Sequence, residues 1–123
     1  MSNVNTDHIA EVFAAIESQD VPTILSMFAE DVSTTFGNEE SKIGRAQIGE
    51  NLAAFHQTIA GLRHTILKTW SDETDVVIEA SVTYDRLDGR QVTLPTVTII
   101  SYNDAGKITS YRVYFDLAPV YAP

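Results

Sequence analysis

The sequence contains no cysteine, which removes structural disulfides, thiolate nucleophiles, redox-active thiols and sulfur-ligated zinc or iron–sulfur centres. Basic residues are scarce: eight Lys and Arg stand against seventeen Asp and Glu, a formal charge of −9. Such a surface repels phosphate backbones and anionic headgroups, so neither a nucleic acid nor a membrane is expected as a partner. The acids are scattered rather than run together and read as a solubilising surface. Long apolar runs are missing too. Met1 to Asp7 is polar, with neither a basic start nor an apolar stretch behind it, and nothing later approaches bilayer-spanning length. The expectation is a soluble, cytoplasmic protein. His8, His56 and His64 lack metal-ligand spacing and no glycine run could cradle phosphate, so neither a metal nor an organic cofactor is expected. What is present is 123 residues, 44% of them hydrophobic, enough for one domain over 1–123 with its own core.

Ile9, Val12, Phe13 and Ile16 keep the i, i+3, i+4, i+7 spacing of a helix with one buried stripe, preceded by the cap-competent Asn5 and Thr6, and predict a helix from Thr6 to Ser18. Asp20 can cap a second, short helix that tolerates Pro22 in its first turn and ends near Ala29. Val32 to Phe36 is short and β-prone, and the segment Gly37 to Gly44 reads as a loop. Arg45 to Ala60 reads as a third helix, with the stripe Ile48, Leu52, Phe55 and Ile59 and with Gly61 as a left-handed cap.

From Leu62 the pattern becomes strands, separated by Ser71-Asp72-Glu73, Leu87-Asp88-Gly89 and Asn103-Asp104-Ala105-Gly106. Four strands joined by short turns form an antiparallel meander, since parallel neighbours need long crossovers. Val76, Ile78, Ala80, Val82 and Tyr84 alternate with Val77, Glu79, Ser81, Thr83 and Asp85, giving one core face and one half-polar face. In the last two strands both faces are apolar: Leu94, Ile100 and Tyr102 alternate with Pro95, Val97 and Ile99. A sheet covered by helices on one side should not read that way, and a second copy of the chain is the expected cover.

That element order, with the words Phe28-Ala29-Glu30-Asp31-Val32, Ile43-Gly44-Arg45, Gly106-Lys107-Ile108 and Tyr111-Arg112-Val113-Tyr114-Phe115-Asp116, resembles the nuclear-transport-factor-two-like superfamily. Its members include SnoaL-like polyketide cyclases, ketosteroid isomerases, limonene-epoxide hydrolase and scytalone dehydratase. The resemblance implies an α+β, cone-shaped α-α-β-α-β-β-β-β fold whose curved sheet wraps three N-terminal helices around an apolar pocket. It says little about chemistry, because this scaffold hosts unrelated activities. Ketosteroid isomerases keep a general-base aspartate where this chain has Phe36. Their oxyanion-hole tyrosine and aspartic acid fall on Val12 or Phe13 and on Val97 or Thr98. The pocket carboxylate of limonene-epoxide hydrolase falls on Val113, its third-strand groups have no counterpart among Glu79 to Val82, and its water-positioning pair falls on Thr34 and Phe36. Neither catalytic set is retained. Scytalone dehydratase, which carries a catalytic histidine near the start of the second strand, is similar at Leu62-Arg63-His64-Thr65-Ile66.

Four residues emerge as candidates for chemistry. An unperturbed His64 titrates near neutrality and suits a proton shuttle, against the reading of a polar edge residue. Tyr84 and Tyr111 should point inward, where a phenol needs a partner and could donate to a ligand oxygen, or simply pack. Asp116 closes the last strand and would serve as acid or base if it faced the pocket, or would bond backbone amides where the chain leaves the sheet. Around them Thr34, Phe36, Asn51, Phe55, His56, Val97, Ile99, Val113 and Phe115 are expected to line the pocket. The expected activity is a cofactor-independent isomerase, cyclase, dehydratase or hydrolase acting on a small, largely apolar, carbonyl- or hydroxyl-bearing molecule. The alternative is a non-catalytic ligand-binding or dimerising module.

Overall fold

A computed structural model describes residues 6–123, with side chains from His8 onward. Asn5, expected to help cap the first helix, lies outside the described residues, as does the side chain of Thr6. The elements are α1 (Thr6–Ser18), α2 (Val21–Ser26), β1 (Phe28–Phe36), β2 (Lys42–Ile43), α3 (Arg45–His56), β3 (Ile59–Ser71), β4 (Asp75–Arg86), β5 (Gln91–Tyr102), β6 (Ile108–Tyr114) and α4 (Ala118–Tyr121). They form an α+β cone. One strongly curved sheet of order β2-β1-β6-β5-β4-β3 carries the helices on its concave side. No helix among the described residues is long and apolar enough to cross a membrane.

The first helix has the expected bounds. Gln19, at φ 59°, takes the left-handed position that closes it. Asp20 caps α2 through Thr23, but α2 stops at Ser26 rather than Ala29. The Met27 carbonyl accepts the Ile108 amide at 2.9 Å, so strand pairing captures the chain as Phe28 enters the core at 4% exposure. The first strand is therefore longer than Val32–Phe36.

The third helix likewise ends at His56, four residues before Ala60. The Thr58 hydroxyl donates to the Phe55 carbonyl at 2.6 Å, and Ile59 pairs with Arg86 on β4. Gly61 is thus a strand residue and not a left-handed cap; a Cβ there would meet the Asp85 carboxylate at 3.2 Å. The loop 37–44 contains the two-residue strand β2, and α4 was not foreseen.

The meander β3-β4-β5-β6 is antiparallel as expected. The pairing of β1 with β6 is parallel, because the whole meander intervenes between them and supplies the long crossover. Ile9, Val12 and Phe13 of α1, Ile24 of α2 and Ile48 of α3 pack on Val76, Ile78, Ile100 and Ile108. A second cluster joins Ile59, Leu62, Val82, Tyr84 and Leu94 with Val120 of α4. Each such side chain contributes about 1.5–3 kcal/mol by leaving water.

Candidate functional site

Between helices and sheet lies a cavity of about 640 Å³ walled by members of both clusters. Its surface is mostly hydrocarbon, from Ile24, Phe28, Ile48, Leu52, Leu62 and Val82 among others, which suits a ligand with a large apolar body. Phe36, Val113, Phe115 and Phe55 lie on the wall, joined by Thr34, Asn51 and His56. Phe36 and Val113, where the resembled enzymes keep polar groups, present only hydrocarbon.

His64 lines the cavity from β3, with its side chain only 8% exposed. Its ring stacks on Phe13 of α1, with centroids 4.0 Å apart and an interplanar angle of 11°. Oε2 of Glu17 accepts the His64 backbone amide at 2.8 Å and lies 2.9 Å from Nδ1. A carboxylate can only accept, so Nδ1 carries the proton and Nε2 keeps its lone pair. No group among the described residues bonds Nε2. Burial lowers the His64 pKa, and the hydrogen bond and charge of Glu17 oppose that shift without cancelling it. The imidazole is therefore neutral at pH 7 and basic at the nitrogen Glu17 leaves free.

Tyr84 and Tyr111 lie on the same cavity wall. Phe55 packs edge-on against Tyr84 at 6.2 Å, and Phe28 and Phe36 flank Tyr111 at 6.3 Å each. Desolvation raises both phenol pKa values, and the two are near enough that charge on Tyr84 raises Tyr111 further. Both rings stay neutral at physiological pH and act as hydroxyl donors.

Three expectations are corrected. Asp116 is not on this cavity: it is exposed, and Oδ1 accepts the Ala118 amide at 3.0 Å where the chain enters α4. Val97 and Ile99 face away from it. They pair with Tyr114 and Arg112 on the convex face, and alternation hands the inward positions to Thr96, Thr98 and Ile100. Thr98 therefore lines the cavity in place of Val97.

Glu17 was missed although it had a signal. It follows Phe13 by four residues, so a carboxylate extends the buried stripe of α1. Lys42, Thr58 and Tyr121 also reach the wall; Tyr121 of α4 shares a hydrogen bond of 2.9 Å with Thr58, closing the end of the cone over Val120. Among the described residues no three His, Asp or Glu side chains are placed to hold a metal ion.

Residues 9–111 match the family model of the SnoaL-like domain. Among solved structures, TerC co-crystallised with polyporic acid is 25% identical, with TM-score 0.80 over 94% of each chain. A hypothetical protein of ketosteroid isomerase-like fold from Catenulispora acidiphila, in complex with trimethylamine, is 23% identical, with TM-score 0.81 over 91% of this chain and 87% of that one. An LEH-like epoxide hydrolase from M. tuberculosis shares the fold at 19% identity, with TM-score 0.76 over 93% of this chain and 84% of that one. No curated protein matches the sequence.

Proposed function

Since this chain belongs to the SnoaL-like domain family, we propose that it is a cofactor-independent acid–base enzyme acting on a small, mostly apolar, oxygenated molecule held in its cavity. The observation that carries this reading is the Glu17–His64 dyad, whose imidazole lines the cavity. A buried imidazole whose Nδ1 is held by a carboxylate has one competent group left, the Nε2 lone pair, and it is basic at neutral pH. His64 takes a proton from carbon beside a carbonyl, or from a hydroxyl or water. Tyr84, on the strand that pairs with β3 beside His64, then donates to the oxygen on which negative charge develops. Proton abstraction followed by reprotonation isomerises, loss of a leaving group dehydrates, and attack by the resulting enolate cyclises. TerC with polyporic acid, the Catenulispora protein with trimethylamine and the LEH-like epoxide hydrolase support a small-molecule substrate.

The first test is exchange of the α-protons of 2-tetralone in D₂O, followed by proton NMR. The protein should accelerate exchange at least tenfold over buffer, and Asp116→Asn should leave that rate within a factor of about two. Tetralone that binds without any exchange would instead assign the non-catalytic module.

The convex face supports a homodimer. Val97, Ile99, Tyr114 and Trp70 give it apolar surface, with Trp70 46% and Tyr114 51% exposed, and a partner sheet would cover that surface. Light scattering behind size exclusion should give twice 13.6 kDa at micromolar concentration. A monomer there excludes the dimer.

A further inference from the structure

We propose that the end of the cavity built by β2, β1 and β6 is a subsite for a carboxylate or other acidic oxygen, so that the ligand is an apolar, ring-sized acid. The inference rests on the reading of the cavity as a ligand site. Thr34 is the direct partner of Lys42 on β2 and of Tyr111 on β6, and direct partners put their side chains on one face of a sheet. Lys42, Thr34 and Tyr111 therefore form a row, and all three line the cavity.

Each member lacks what it needs. Thr34 and Tyr111 are 2% and 4% exposed, yet neither hydroxyl has a hydrogen-bond partner among the described residues. Neither oxygen is among the fully enclosed polar atoms without a partner, so both hydroxyls open on the cavity, where a ligand oxygen can accept from both. Lys42 is the one Lys or Arg on the cavity wall, and it forms no ion pair among the described residues. A neutral carbonyl would satisfy the hydroxyls and leave the ammonium uncompensated; an anionic oxygen satisfies all three. Glu39 and Glu40 also reach the cavity rim, where they stay exposed to water and oppose anions only weakly.

The placement also gives the ligand a direction. The row lies at the β2 edge of the sheet order and His64 lies on β3 at the other edge. An acid anchored by Lys42 extends its apolar body toward the imidazole, so the reacting centre is remote from the acidic group. Because the chain carries a net charge of −9, its overall field disfavours anions, and any preference for one must be local.

Two near-isosteric probes test this by isothermal titration calorimetry: 2-naphthoate, and 2-acetonaphthone, in which a methyl replaces one carboxylate oxygen. The expected result is at least tenfold tighter binding of naphthoate to the wild-type protein. Lys42→Gln should abolish the preference by weakening naphthoate more than acetonaphthone, and Lys42→Arg should retain it. Lys42 sits on a two-residue edge strand, and an unchanged circular dichroism spectrum establishes that each variant is folded. Equal wild-type affinities, or a preference that survives in Lys42→Gln, overturns the subsite. Acetonaphthone binding without preference removes the subsite and leaves the cavity reading intact. If neither probe binds and tetralone exchange is also absent, both fall.

Discussion

His64→Gln lowers the rate of 2-tetralone exchange by roughly 10²–10⁴, the range that a positioned general base supplies. The loss should fall on kcat rather than KM, since glutamine keeps the polarity and approximate volume of the wall but has no lone pair basic enough to take a proton. Glu17→Gln should cost about tenfold, comparable to the loss of a group that orients a histidine. Its diagnostic is pH. Glu17 raises the His64 pKa by hydrogen bond and charge against the downward pull of burial, so removing the carboxylate lets burial act alone. The acid limb of the rate profile should then move to lower pH as the plateau drops.

The same residue links the site to stability. Burial holds the folded-state pKa of His64 below its ordinary value of about 6.5, so the unfolded chain binds the proton first as pH falls. The contribution is complete above pH 6.5 and is lost as pH drops through the folded pKa. Urea midpoints of the wild-type protein should therefore decline on the acid side of neutrality, and those of His64→Gln should decline less. Equal slopes would mean that His64 is not held neutral by the fold. A fully active His64→Gln would remove the base from the mechanism altogether.

Phe13→Ala should destabilise the protein by about 3–5 kcal/mol, the usual cost of emptying a buried phenylalanine site. Phe13 is 2% exposed and packs in the main core cluster, while its ring also forms the stacking surface of His64 at 4.0 Å. Against a total stability on the order of 5–15 kcal/mol, that is a large share of the fold. Phe13→Leu keeps most of the volume and should cost less than about 1.5 kcal/mol. It removes the flat surface all the same, so it should slow exchange more than its stability loss explains. A Phe13→Ala midpoint shift equivalent to under about 1 kcal/mol would show that the helix repacks and that His64 is positioned by Glu17 alone.

These effects meet at a junction that was half visible in the sequence. His64 was legible as an isolated titratable group on a strand, and Phe13 as part of a helix stripe. Their partnership was not, because the bond from Glu17 to His64 spans 47 positions and nothing local encodes which strand a helix end will meet. Asp116 shows the reverse case. Its place after an apolar strand allows a pocket acid or a residue bonded to backbone amides, and the turn into α4 takes the second, with the Ala118 amide closer at hand.

Val97 and Ile99 fail for a related reason: both faces of β5 are apolar, and only pairing and helix packing decide which face turns inward. Local propensity predicts a cap at Gly61 and a further turn of α2 and of α3, and long-range strand pairing at Phe28 and Ile59 overrides it.

The sequence by itself determined the α+β class, the buried stripe of α1, the antiparallel meander and an apolar interior, because period 3.6 and period 2 are written in neighbouring residues. Tertiary structure alone decided that β1 joins β6 in parallel, that Glu17 orients His64, that Thr98 rather than Val97 lines the cavity, and that Lys42, Thr34 and Tyr111 share a row. Each of those depends on register between segments far apart in the chain, and a shift of one residue would have turned every side chain of the strand to the opposite face.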